Sequence, residues 1–322
     1  MHGGGLYAQE QNLWTEDYAK AYKMSQVTEK PILMAFVGSD WCPWSQKFAR
    51  EILEQPDFLT EMQKEMILVW IDFPERLAIP EERKAQNKEL KNRFQVSELP
   101  TLVLVDANGK AVAKFGYLPL EPKEMAQQLK TALNDCALLK RVVGSQEYTA
   151  MNGEEIKELY KKAVDLGREE EKTALMEAGL KTTEGAFFLM RQYEQLLEHA
   201  KLKEPEVQKL RKQIMQKDPG NHKGMHLELA IAEFQALSKK LKRREKPDRA
   251  IVPLVDYVRN YGAKDLENSW RVEMMIAQFL YSKNCLPEAV VHAKMSLDFA
   301  PEEYRPEISQ TLEFIASKTS KK

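Results

Sequence analysis

Residues 38–45, Gly-Ser-Asp-Trp-Cys-Pro-Trp-Ser, decide how the first part of this chain folds. Before them, residues 31–37 form an apolar run that begins with proline, which predicts a strand buried on both faces. After them, apolar residues recur at helical spacing, and Pro43 stands at the first helical position, where its missing N–H costs nothing. Cys42 is therefore expected at the N-terminus of a helix. Unpaired amides and the helix dipole favour a thiolate there, and the thiolate is the nucleophile of disulfide exchange.

The sequence that follows predicts the rest of an α/β domain. A second apolar run suggests another buried strand, and a charged stretch after it suggests a helix that crosses back over the sheet. Two further strands flank an Asn-Gly turn, and an amphipathic helix closes the domain. These elements are the strand 66–73, the helix 84–94, the strands 96–106 and 110–116, and the helix 121–139.

This order of elements, with its Trp-Cys-Pro-Trp-Ser loop and a later Leu-Pro-Thr tripeptide, resembles the thioredoxin fold over residues 14–140. Residues 38–42 and Trp44 are similar to secreted bacterial disulfide isomerases and to the thioredoxin domains of periplasmic thiol–disulfide interchange proteins. In that family a cis proline faces the active-site sulfur, and its neighbouring backbone pairs with the substrate. The resemblance implies that Cys42 and Ser45 are the catalytic positions and that substrate is bound by Trp41, Pro43, Trp44, Leu99, Pro100 and Thr101.

Two departures from the family pattern restrict the chemistry. Ser45 stands where the family has its second cysteine, and the buried carboxylate of many thioredoxins falls here at Ala35 or Phe36. A serine hydroxyl forms no disulfide, so it cannot release a substrate held as a mixed disulfide. The site is therefore predicted to act through one cysteine, as a disulfide isomerase or thiol exchanger, with Ser45 donating a hydrogen bond to the Cys42 thiolate.

Three alternatives remain open from the sequence. The first is a redox-inactive thioredoxin fold, kept as a binding or chaperone protein whose helical domain recruits partners. The second is that Ser45 replaces a natural cysteine in order to trap substrate complexes. The third is a dithiol reductase supplied with electrons by a membrane donor, which would need a cysteine at position 45.

Composition limits the other functions. A length of 322 residues fits two domains, and a formal net charge of -1 gives no reason to expect nucleic acid. The basic run 239–244 lies where a helix is predicted to end and is interpreted as a solvated helix end. Three scattered cysteines suit neither a disulfide framework nor a zinc site, so no metal and no cofactor is predicted. No apolar run is long enough to predict a membrane span.

The N-terminal residues give an indication of the cellular compartment. Residues 1–13 are expected to form a flexible N-terminus, and Leu6-Tyr7-Ala8 resembles the end of a signal peptide. The alternative is a disordered start or the remnant of a tag. With the family resemblance, this predicts a periplasmic or secreted protein whose substrates carry disulfides or thiols.

Residues 141–322 are predicted to form a second, all-α domain, because every periodic segment after Lys140 repeats at helical spacing. Two stripes, over residues 270–281 and 286–297, suggest a helical hairpin. Ala277, Ala289 and Pro301 fall 12 residues apart, which resembles the small-residue and proline spacing of a tetratricopeptide repeat. The alternative is a plain helical bundle. A stacked helical domain of this kind predicts a partner-binding or dimerisation role.

Overall fold

The computed structural model describes residues 13–242 and 245–319. The chain divides into two compact units, one ending at Ala178 and the other beginning at Gly179. The peptide Leu6-Tyr7-Ala8 lies outside the described residues, as do Arg243 and Arg244 of the basic run.

The first unit is built on a four-stranded mixed sheet. Strand β1 lies parallel to β2 and antiparallel to β3, and β3 pairs antiparallel with β4, so the order across the sheet is β2-β1-β3-β4. All six residues of β1 are buried, which confirms the expectation of a strand covered on both faces. The strands are β1 Ile32–Val37, β2 Ile67–Asp72, β3 Thr101–Val105 and β4 Ala111–Phe115.

Helices cover both faces of this sheet. Because strand side chains alternate, Leu33 and Ala35 of β1 enter one hydrophobic core while Met34 and Phe36 enter the other. Both Ala35 and Phe36 are fully buried. The helices are α1 Tyr18–Thr28, α2 Pro43–Phe48 with a π-helical turn Ala49–Leu53, α3 Pro56–Glu65, α4 Glu81–Arg93, α5 Pro122–Gly144, α6 Gly153–Asp165 and α7 Glu169–Gly179.

The second unit contains only helices among its described residues, so the expected fold class, an α/β thioredoxin-type fold followed by an all-α region, is confirmed. Helices α12 and α13 pack against each other across a short turn, as the predicted hairpin requires. The likeness to a tetratricopeptide repeat stays a prediction. The helices are α8 Gly185–His199, α9 Pro205–Lys217, α10 Met225–Lys239, α11 Asp248–Tyr261, α12 Leu266–Ser282, α13 Leu286–Phe299 and α14 Arg305–Thr319.

The three cysteines lie in different environments and are all free. Cys136 is buried in α5, whereas Cys285 is partly exposed at the residue before α13. Cys285 lies between α12 and α13, directly after Asn284, which adopts a left-handed backbone with φ of 61°. None of the described helices has the length and apolar character that a membrane crossing needs.

Candidate active site

Cys42 caps the N-terminus of α2. Its backbone is extended, and Pro43 is the first helical residue, as the sequence predicts. The Cys42 N–H donates to the carbonyl of Gly38 over 3.0 Å, and the Cys42 carbonyl accepts from the N–H of Gln46, also at 3.0 Å. These two bonds tie the loop to the end of β1 and to the helix. Cys42 as a whole residue is only 7% exposed, so the surrounding residues determine which molecules can reach its thiol.

A second loop closes over the thiol. The Cys42 Sγ donates to the carbonyl oxygen of Leu99 over 3.7 Å, although the two residues are 57 positions apart. The peptide bond between Leu99 and Pro100 is cis, and Pro100 is buried. Thr101 begins β3 opposite Phe36 of β1, and its hydroxyl donates to the Glu98 carbonyl at 2.7 Å. The pairing of β1 with β3 thus brings the two loops together.

Ser45 has a structural partner. Its side chain is 1% exposed, and its Oγ accepts a hydrogen bond from the backbone N–H of Gly38 at 3.1 Å. This hydrogen bond joins the Ser45 side chain to the backbone of Gly38, at the start of the loop. The hydroxyl proton stays available as a donor, which is the property that the predicted bond to a Cys42 thiolate would use.

Trp41 packs over the start of the loop. Its indole N–H donates to the carbonyl of Phe73 over 2.7 Å, which links the loop to the end of β2. The indole lies so close to Gly38 that a Cβ there would stand 2.7 Å from the Trp41 Cε2. Position 38 therefore needs glycine because any side chain would displace the tryptophan.

Trp44 is the more exposed of the two tryptophans in the loop, with 57% of its surface accessible against 40% for Trp41. Its ring centroid lies 5.5 Å from that of Tyr117, and the Lys47 ammonium stands 5.5 Å from the Trp44 centroid and 5.3 Å from the Tyr117 centroid. A cation at this distance from two aromatic rings is stabilised by their quadrupoles. The Tyr117 hydroxyl donates to Glu51 at 3.0 Å, which orients the ring.

A groove of about 550 Å³ runs from this aromatic pair along the cis-proline loop. Trp44 and Tyr117 stand at one part of its wall, and residues 95–101 form another. Of the residues predicted to bind substrate, the groove therefore collects Trp44, Leu99, Pro100 and Thr101. Trp41 and Pro43 do not line it.

Two carboxylates hold the loop from outside. Asp40 accepts hydrogen bonds from the backbone N–H groups of Glu75, Arg76 and Leu77 at 2.9, 2.6 and 2.8 Å. Desolvation opposes ionisation of Asp40, but these donors outweigh it and lower the pKa of the carboxyl below its usual value. Asp72, at the end of β2, accepts from both the N–H and the hydroxyl of Ser39.

Sequence reasoning missed Lys47, Tyr117 and the bracing roles of Asp40 and Asp72. Asp40 belongs to the stretch that carries the family resemblance, but its partners lie 35 to 37 residues further along the chain. The residues next to Asp40 in the sequence give no indication of these hydrogen bonds. Tyr117 lies two residues after the end of β4, and its aromatic character is the local signal that could have indicated it.

The fold and the loop geometry define a thioredoxin-like protein, and residues 18–133 match the thioredoxin-like domain family. Over 306 residues the chain is 31% identical to the thioredoxin-related protein DsbJ of Chlamydia pneumoniae, a match that spans 94% of this chain and 87% of the relative. The chain therefore belongs to the thioredoxin-related Dsb proteins, which confirms the resemblance found in the sequence.

Two further matches concern the first unit. The disulfide bond reductase DsbH of Chlamydia pneumoniae is 38% identical over 122 residues, which are 38% of this chain and 74% of that protein. A solved structure of a DsbH oxidoreductase is 35% identical and covers 41% of this chain and 95% of its own, with a TM-score of 0.37.

Proposed function

We propose that this protein exchanges and isomerises disulfides in other proteins through Cys42 alone. The observation that carries the proposal is the position of the Cys42 sulfur at the start of α2, facing the Leu99 carbonyl beside the cis proline. Membership of the Dsb proteins supports thiol–disulfide chemistry in general. The finer assignment to isomerase rather than reductase rests on Ser45.

The proposed reaction conserves electrons. The Cys42 thiolate attacks one sulfur of a substrate disulfide; that S–S bond breaks, a mixed disulfide to Cys42 forms, and the other substrate sulfur leaves as a thiolate. A different substrate thiolate then attacks the mixed disulfide, forms a new substrate disulfide and releases Cys42 as a thiolate. No external oxidant or reductant is consumed. In this reaction the Ser45 hydroxyl would donate a hydrogen bond to the Cys42 thiolate and keep its proton.

The groove supplies the proposed substrate contacts. The backbone of Leu99, Pro100 and Thr101 would pair with an extended substrate segment, and Trp44 would cover an apolar side chain next to the attacked disulfide. Trp41 and Pro43 would act by holding the loop, because they lie outside the groove. We also propose a periplasmic or secreted location, since substrate disulfides persist only in oxidising compartments.

We further propose that the helical unit, as a tetratricopeptide-like partner-binding domain, recruits other proteins. We also propose that the boundary between the thioredoxin-like domain and the helical domain lies near residue 140, as the sequence suggests. Helix α6 and all of α7 except its last residue, Gly179, follow that boundary and belong to the first compact unit.

The test is refolding of a substrate with scrambled disulfides. Wild-type protein should accelerate recovery of the substrate's activity, and Cys42→Ala should reduce the rate to the uncatalysed one. Cys285→Ala is the matched control, because it removes a partly exposed thiol from another place in the chain and should leave the rate unchanged.

A second candidate function, a binding or chaperone protein without redox chemistry, is favoured by the near-complete burial of Cys42. If Cys42→Ala refolds the scrambled substrate as fast as wild type, the exchange proposal is wrong. Equal suppression of substrate aggregation by both proteins would then identify the binding function.

A further inference from the structure

A groove runs along α10 in the helical unit, and its walls come from the α8–α9 connection, α9 and α11. It consists of two adjoining cavities of about 380 and 260 Å³. Both cavities are lined by Leu202, Lys203, Leu237 and Arg249, so they form one continuous depression. We call it the α10 groove.

The floor of the α10 groove is aliphatic. Leu202, Leu237 and Leu241 are partly exposed along it, and Val252 is 49% exposed at its edge. Apolar side chains left open to solvent in a concave surface mark a place where a partner's apolar side chains can be buried.

The rim of the α10 groove carries unbalanced positive charge. Lys201, Lys203 and Arg249 are exposed, and none of them forms an ion pair with any residue in the two described ranges, 13–242 and 245–319. Lys240 is likewise cationic and donates only to the carbonyls that end α8, at 2.9 and 3.1 Å.

Two of the three acidic residues of the same groove are paired with cations, and the third, Glu245, is exposed and accepts the backbone N–H of Lys242 at 3.0 Å. Glu233 is buried and accepts hydrogen bonds from Arg211 at 2.6 Å and from the Tyr193 hydroxyl at 2.8 Å. Asp256 forms an ion pair at 3.0 Å with Arg259, and Arg259 does not line the groove. Lys201, Lys203, Lys240 and Arg249 therefore outnumber Glu245, the remaining exposed carboxylate of the lining that no cation pairs with among the described residues, so the rim is net positive.

We propose that the α10 groove binds an acidic segment of a partner protein that also carries apolar side chains. Leucine-like side chains would lie on the aliphatic floor, and carboxylates would meet Lys203 and Arg249. A nucleic acid fits less well because the aromatic residues of the lining are not free to stack on bases: Tyr257 and His226 are buried, and Tyr261 packs against both. The inference names a site for the recruiting role proposed above and does not depend on the chemistry of Cys42.

The test uses a fluorescein-labelled synthetic peptide of alternating glutamate and leucine, with anisotropy as the readout. The full-length protein should bind this peptide and should lose affinity as salt is added. The double variant Lys203→Glu/Arg249→Glu should weaken binding by about tenfold or more, since it replaces two attractive contacts by repulsive ones. Val252→Ser should also weaken binding because it removes part of the apolar edge.

The matched control is Lys209→Glu/Lys212→Glu, which makes the same change in net charge at two exposed positions of α9 outside the groove. This control should bind the peptide as wild type does. Equal losses in the two double variants would overturn the proposal in favour of unspecific attraction. Equal affinity for a glutamate–serine peptide, or full competition by a single-stranded oligonucleotide, would overturn it as well.

The result of the peptide-binding experiment can be distinguished from the result of the Cys42 refolding experiment. The peptide contains no cysteine, and Cys42→Ala should bind it with unchanged affinity. Loss of refolding activity in Cys42→Ala together with a failure to bind the peptide would leave the exchange function standing and remove only the α10 groove.

Discussion

Ser45 connects the chemistry of the site to its stability. Its hydroxyl oxygen accepts from the buried Gly38 N–H, and in the proposed mechanism the same hydroxyl would donate a hydrogen bond to the Cys42 thiolate. A sulfur in the same place would be a weaker acceptor for that amide. The serine is therefore suited to a loop that keeps one reactive sulfur and satisfies its own backbone.

Ser45→Ala is expected to separate these two roles. It leaves the Gly38 amide buried without an acceptor, so the free energy of unfolding should fall by about 1–3 kcal/mol. Refolding of scrambled substrate should continue through Cys42. Urea denaturation measures the first effect and the refolding assay the second.

Ser45→Cys serves as the companion variant. It restores a second thiol and should convert the protein into one that reduces a substrate disulfide by itself, leaving an internal disulfide behind. The proposed single-cysteine mechanism would be contradicted if wild-type protein, with no added thiol, reduced substrate as completely as Ser45→Cys does.

At the scale of elements, the active-site loop depends on a distant segment. Asp40 accepts three N–H groups from residues 75–77, so the carboxylate holds the connection between β2 and α4 against the loop. Because the pKa of Asp40 is lower in the folded protein than in the unfolded chain, the contribution is complete above the unfolded pKa. It is lost as the pH falls through the folded pKa.

An NMR titration of the Arg76 and Leu77 amides should therefore show them leaving their folded positions only at acidic pH, below the usual range of an aspartate. In Asp40→Asn the same amides should lose that pH dependence and exchange faster with solvent at neutral pH. Asp57→Asn is the control, because Asp57 contacts Lys123 and not this segment. Unchanged protection in Asp40→Asn would show that other contacts hold the segment.

The helices and strands could be predicted from the sequence because their signals lie in neighbouring residues. The buried strand β1 follows from an unbroken apolar run, and the start of α2 follows from Pro43. The contacts of Asp40, of Trp41 with Phe73 and of Trp44 with Tyr117 could not be predicted, since each joins segments that only the folded sheet brings together. The same holds for the α10 groove, whose free charges are recognised only once their neighbours are known.

At the scale of the whole molecule, each unit has hydrophobic cores of its own. The first has one core on each face of the sheet, and the second has two cores among its helices. The match to the relative named DsbJ spans 94% of the chain, so that relative resembles both units and not the first unit alone. A protein of this family is therefore to be tested as a complete chain.

Leu254→Ala tests whether the helical unit depends on its own core. Leu254 is fully buried in α11, so its truncation should lower the stability of this unit by about 2–5 kcal/mol. Hydrogen exchange followed by mass spectrometry should show faster exchange in peptides from α10 to α13. Val291→Ala is the matched control, because Val291 is exposed on α13 and its loss should change stability by less than about 0.5 kcal/mol. Equal exchange in the two variants would mean that the core around Leu254 does not stabilise the helices that surround it.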